Sequence, residues 1–134
     1  MKYYAYEAFK NEAQAIIGIA RGGLTLAHTM AEGLGIRDVQ TLRTEFYDEV
    51  TQRDAISLFG TCQFEDTQRV LVVDDIADSG KTLEYVMQYL RESHPLVEFQ
   101  SATLFYKKTS AYEPHFWINE AKEWIDFFWE RDYK

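Results

Sequence analysis

The apolar positions of this chain fall into short unbroken runs separated by stretches of helical period. QAIIGIA, residues 14–20, is a run of the kind that forms a strand buried on both faces, and it stops at Arg21-Gly22-Gly23. LTLAHTMAEGL, 24–34, repeats its apolar residues at helical spacing and ends before Gly35, which predicts a glycine C-cap. VQTLRTEF, 39–46, alternates as a strand does. YDEVTQRDAISLFG, 47–60, has no period and reads as a long connection, of the length used for lids and binding loops. RVLVVDD, 69–75, is a second unbroken run, and GKTLEYVMQYLRES, 80–93, places Leu83, Val86, Met87 and Leu90 on one helical face. FQSATLFYK, 99–107, predicts a further strand, the aromatic tail one or two short ones, and residues 5–14 a short polar helix. Strand, helix, strand, given twice over, predicts an α/β domain around a parallel sheet. Strand order does not follow from periodicity.

In open α/β sheets, ligands bind outside the carboxyl ends of the strands. Two strand ends in this chain deliver polar groups there: IGIA-RGG and LVVDD-IADSGKT. In the second, Gly80 lets backbone approach a ligand closely and the Ser79 and Thr82 hydroxyls can donate. The helix that follows offers free N–H groups and a partial positive charge, so Asp78-Ser79-Gly80-Lys81-Thr82 is suited to a phosphate dianion. Asp74 and Asp75 precede it; carboxylates accept from vicinal hydroxyls and from metal-bound water, which points to a sugar phosphate with hydrated Mg²⁺. A plainer use of Asp75 or Asp78 is to cap the next helix. A Walker A loop, G-x-x-x-x-G-K-S/T, needs glycine where Asp75 stands, and no G-x-G-x-x-G loop is present.

Composition narrows the partners. The 134 residues suffice for one packed core, and without repeats or a Pro/Gly-rich linker residues 1–134 read as one domain. A formal charge of -8 argues against general nucleic-acid binding, which needs Lys and Arg to displace counterions. No apolar run reaches the roughly 20 residues that cross a bilayer, so no membrane partner is expected. The start MKYYAYEAFKNEAQ lacks the apolar core of a signal peptide, and Cys62 is the lone cysteine; together these point to the cytoplasm.

The string VLVVDDIADSGKTL, 70–83, closely resembles the phosphoribosyl-diphosphate signature of type I phosphoribosyltransferases: apolar strand, two acids, two variable positions, then Asp-Ser/Thr-Gly-x-Thr. Within that family the chain resembles the short xanthine–guanine (6-oxopurine) type. Ile19 to Leu24 is similar to the first loop, which contacts pyrophosphate, often through a non-proline cis peptide. Tyr47-Asp48 with Gln52-Arg53 resembles the mobile loop that closes over the reaction. Thr103 to Lys107 is similar to the strand whose lysine reads the purine 6-oxo group. Glu123-Trp124-Ile125 with Phe128-Trp129-Glu130 resembles the base-binding end.

The resemblance implies a parallel-sheet fold with helices on both faces and a small C-terminal base-binding hood. It implies Mg²⁺-dependent transfer of ribose 5-phosphate from 5-phosphoribosyl 1-diphosphate (PRPP) to guanine, xanthine or hypoxanthine, in a homo-oligomer, dimer or tetramer. Carried onto these positions, Asp74 and Asp75 hold the ribose hydroxyls, with Asp75 the metal contact. Asp78, Ser79, Gly80, Lys81 and Thr82 bind the 5′-phosphate, and Asp78 is also the candidate acid or base at purine N7. Arg21, Gly22 and Gly23 grip pyrophosphate, joined by Arg53 from the loop. Lys107 donates to O6, with Lys108 as its rival; Trp124 stacks on the base and Ile125 presents backbone to its edge. Two other readings stand beside this one: a PRPP- or nucleotide-binding regulator of the same fold, and a transferase with another acceptor.

Overall fold

A computed structural model describes residues 13–48 and 54–121. The expected first helix at 5–14, all but its last two residues, lies outside them, as do Arg53, Trp124, Ile125 and the C-terminal hood. Strands β1 (Ala15–Ala20), β2 (Asp38–Asp48), β3 (Asp54–Phe59), β4 (Arg69–Ala77), β5 (Glu98–Tyr106) and β6 (Phe116–Glu120) form one sheet in the order β3-β2-β1-β4-β5-β6. Helix α1 (Leu24–Leu34) links β1 to β2, and α2 (Lys81–Ser93) links β4 to β5. All neighbouring strands pair parallel except β2 and β3, which form an antiparallel hairpin.

The unbroken apolar runs fill both faces of the sheet. Ile17, Ile19, Val70 and Val72 pack with Leu83, Val86, Met87 and Leu90 of α2. Their sequence neighbours Ile16, Leu71 and Val73 point the other way, against Leu26, Ala27, Met30 and Ala31 of α1. Leaving the centre of the sheet in opposite directions, two crossovers of the same hand put their helices on opposite faces. The strand order therefore reverses between β1 and β4, which opens a crevice at their carboxyl ends. Helix α1 ends as expected, with Gly35 left-handed at φ 70°.

Two expectations change. Residues 47–60 are not one long connection: Tyr47 and Asp48 extend β2, and Asp54–Phe59 is a strand paired with it, Arg43 opposite Phe59 and Asp48 opposite Asp54. As an edge strand it buries neither face fully, so its side chains carry no clean alternation; Phe59 is 41% exposed, under the Arg43 guanidinium at 4.2 Å. Strand β4 also outruns its expected end at Asp75: Ile76 and Ala77 stay in register with Phe105 and Tyr106. The acidic pair is thus part of the sheet. Cys62 is buried, and burial, followed by the charge of Asp38, pushes its thiol up to about 11, so it stays protonated at neutral pH. Among the described residues no helix is long and apolar enough to cross a membrane.

Candidate active site

Three loops meet at the carboxyl edge. The first, Arg21-Gly22-Gly23, leaves β1 through a cis Ala20–Arg21 peptide, the feature the resemblance implied for it. Arg21 is exposed, while Gly22 and Gly23 lie against β4. A Cβ on Gly22 would stand 2.7 Å from Asp75 Cγ, and one on Gly23 would strike the Val73 carbonyl oxygen. The Gly23 N–H already donates to the Ile19 carbonyl at 2.8 Å. Gly23 therefore serves the loop by lacking a side chain, whereas Gly22 brings backbone onto the acidic pair.

The second loop holds the acids. The Asp75 N–H donates to Asp74 Oδ1 at 2.8 Å and the Ile76 N–H to Asp75 Oδ1 at 2.7 Å, so each carboxylate is anchored by the amide that follows it. Asp75 is only 6% exposed. Burial, and then the adjacent Asp75 carboxylate, raises the Asp74 carboxyl well above the ordinary range. Two carboxylates this close favour a cation or a hydroxyl donor between them.

Beyond Ala77, Asp78 and Ser79 are exposed and Gly80 is buried. Neither Asp75 nor Asp78 caps the helix: the N-cap of α2 is Gly80, left-handed at φ 81°, without a side-chain cap. The capping use of these aspartates is thereby set aside. The first-turn amides of Lys81, Thr82 and Leu83 have no acceptor within the helix, and the Lys81 N–H meets Ser79 Oγ at 3.3 Å. The Asp78–Thr82 turn thus collects N–H and hydroxyl donors with a lysine beside them, which can receive an anion.

The third loop follows β5. Lys107 Nζ lies 3.3 Å from Asp78 Oδ1, while Lys108 Nζ turns to Glu120 Oε2 at 3.7 Å. That separates the two candidate lysines. Lys107 faces the Asp78 turn, and Lys108 faces Glu120 of β6. The structure so gathers Arg21, Gly22, Asp74, Asp75, Asp78 to Thr82 and Lys107 at one edge. Sequence reasoning missed Ser110, Ala111 and Tyr112, which pack beneath Gly80; a polar turn after the strand was visible, but nothing marked its partner.

A crevice at the switch point, rimmed by backbone amides, three aspartates and three cations, suits an α/β protein that takes a phosphorylated, hydroxyl-bearing ligand. The model of the phosphoribosyl transferase domain matches residues 2–134, and the chain belongs to that family of glycosyltransferases. It is 35% identical over 121 residues, 87% of this chain and 71% of the other, to the xanthine-guanine phosphoribosyltransferase of Idiomarina loihiensis. The xanthine-guanine-hypoxanthine phosphoribosyltransferase of Helicobacter pylori shares its fold at a TM-score of 0.86 and 35% identity, over 95% of this chain and 82% of that one. A purine phosphoribosyltransferase from Pyrococcus horikoshii follows at 0.82 and 28%, over 98% and 87%.

Proposed function

We propose that this protein is a cytoplasmic, homo-oligomeric purine-salvage enzyme that transfers ribose 5-phosphate from PRPP to a 6-oxopurine. The products are the nucleoside monophosphate and pyrophosphate. One observation carries the reading: the acidic pair, the Asp78–Thr82 turn and Lys107 converge where β1 and β4 part.

The residues divide the substrate between them. Ser79, Gly80, Lys81 and Thr82 hold the 5′-phosphate on the first-turn amides and hydroxyls of α2. Asp74 and Asp75 accept from the ribose hydroxyls. Arg21 and the Gly22 backbone hold the pyrophosphate, with Gly23 keeping that loop against β4; Arg53, outside the described residues, joins them. Among the described residues no group of three or more His, Cys, Asp or Glu gathers, which excludes a metal cage built by those residues alone. The paired carboxylates nonetheless fit Mg²⁺, which takes one or two protein carboxylates and fills its shell with water and substrate oxygens. Asp75 would hold it, directly or through a water, and the ion supplies neutralisation of charge developing on the leaving pyrophosphate.

Cleavage of the C1–O bond leaves positive charge on the sugar and negative charge on pyrophosphate, so positioning and electrostatics suffice and no protein nucleophile is required. Asp78 moves the proton at purine N7. Lys107 donates to O6; its pair with Asp78 joins two groups that are 44% and 54% exposed, so it is weak and an arriving base can divide it. Trp124 stacks on the base and Ile125 offers backbone to its edge.

The test is a steady-state panel of PRPP, Mg²⁺ and each common nucleobase, followed by pyrophosphate release. Turnover with guanine, xanthine or hypoxanthine but not adenine is expected. Donor binding without turnover on any base would instead identify a regulator, and turnover on adenine alone a different acceptor class.

A further inference from the structure

We propose that Ser110 is a positioning residue for the donor site: it fixes the Gly80 corner of the Asp78–Thr82 turn and ties that corner to the strand end bearing Lys107. This role presupposes that the Asp78–Thr82 turn receives the 5′-phosphate, as proposed above.

The turn after β5 is stitched to the end of β4 along its length. The Lys107 N–H donates to the Ala77 carbonyl at 3.1 Å, and the Ala111 N–H to the Ser79 carbonyl at 2.7 Å. Gly80 sits directly on this turn. A Cβ there would lie 2.6 Å from the Tyr112 nitrogen and 2.9 Å from that of Ala111, and would collide with Ser110 Oγ. Ser110 holds the turn in shape: its N–H donates to the Lys107 carbonyl at 2.8 Å and its hydroxyl to the Tyr112 carbonyl at 2.8 Å. The same oxygen accepts the Tyr112 N–H at 3.2 Å. Tyr112 is anchored in turn against the core on the α2 side.

The side-chain tie between the two loops, the exposed Lys107–Asp78 pair, is too weak and too open to solvent to set geometry. The rigid link is the half-buried one beneath Gly80. Removing the Ser110 hydroxyl strips the Tyr112 N–H and carbonyl of their partner at the surface that Gly80 rests on. The corner then loosens, and with it the amides of residues 80–83, while the acids of β4 stay held by the sheet.

The experiment compares wild type with Ser110→Ala and Ser110→Thr. Ser110→Ala is expected to weaken ribose 5-phosphate binding in calorimetry about five- to tenfold, the scale of one or two lost hydrogen bonds, and to speed amide exchange at Gly80–Leu83. The KM for PRPP should rise by a similar factor while kcat at saturation falls less than about threefold. Ser110→Thr, which keeps the hydroxyl, should restore all three. A purely structural serine would lower the thermal midpoint without dividing KM from kcat. Unchanged ribose 5-phosphate binding and unchanged exchange in Ser110→Ala overturn the role, as does a threonine variant no better than alanine. Should wild type itself ignore ribose 5-phosphate, the donor-site reading fails instead, and exchange at Gly80–Leu83 still decides whether Ser110 holds the corner.

Discussion

At the amino edge of the sheet side chains reinforce the backbone ties between loops, and at the carboxyl edge glycine backbone rests directly on its neighbours. Gln14 Oε1 accepts the Gln68 and Arg69 N–H groups at 2.6 and 3.2 Å, and Arg69 pairs with Glu98 at 3.2 Å. Phe64 sets its ring edge-on to those of His94 and Phe99, at 5.0 and 5.9 Å. At the other edge Gly22 rests on Asp75, Gly23 on the Val73 carbonyl and Gly80 on Ser110, Ala111 and Tyr112. Side-chain closures are graded: each can be trimmed for a modest loss, because water or a shifted rotamer takes over. Backbone closures have no such reserve, since an added methyl must displace main chain or an anchored carboxylate. Tolerant closure therefore sits where the sheet only has to hold together, and intolerant closure where groups must keep their spacing.

Substitutions that exchange these properties test the contrast. The largest effect is expected from Gly22→Ala, whose Cβ meets the Asp75 carboxylate anchored on the Ile76 N–H. Displacement near 1 Å at a reacting centre is worth about 100-fold, so kcat/KM should fall by that order while the thermal midpoint drops only a few degrees. An equal loss of stability and activity would erase the distinction between the edges. Next comes Gln14→Ala at the amino edge. It should cost about 1 kcal/mol in denaturant unfolding, with the KM for PRPP unchanged. A rise in that KM would mean the two edges are mechanically linked.

The smallest effect lies at the boundary between core and rim. His115 Nδ1 accepts the Ser101 N–H at 3.2 Å, which requires the ring to be unprotonated on that nitrogen. Burial first, then the Arg91 charge, lowers its pKa from the ordinary 6.5, against an opposing pull from Glu98. A histidine lowered on folding contributes stability that is complete above pH 6.5 and is lost as pH falls through the folded value. His115→Asn, which keeps an acceptor and cannot titrate, should flatten that acid limb. Unfolding free energies measured from pH 7.5 down to 5 for both proteins would show parallel curves if His115 has no such role.

How much of this could be read from residues alone depends on what kind of contact made the feature. Helix α1 was legible to the residue because its apolar period and Gly35 are local signals. Strands β1 and β4 were legible because burial on both faces leaves an unbroken apolar run. Strand β3 was not, since an edge strand pairs through backbone and asks little of its side chains. The end of β4 was misjudged for a related reason: charge ordinarily marks the end of a strand, yet Asp75 is buried within one. Arg21 to Gly23 and Asp74 to Thr82 were legible because each is a contiguous string. Lys107 was named with Lys108 as its rival, and that the two face different partners could not be read, because those partners, Asp78 and Glu120, lie far off in the chain. Ser110 and Gln14 act on residues far away in the chain, and no period or motif announces such a pairing.

The register of Ile76 and Ala77 with Phe105 and Tyr106 has one more consequence. It makes the acidic pair a fixed rung of a braced ladder, where a loop would have let it swing like a hinged arm. Under the proposed function the ligand has to bring its hydroxyls to the pair, since the backbone that bears the two aspartates is held in register.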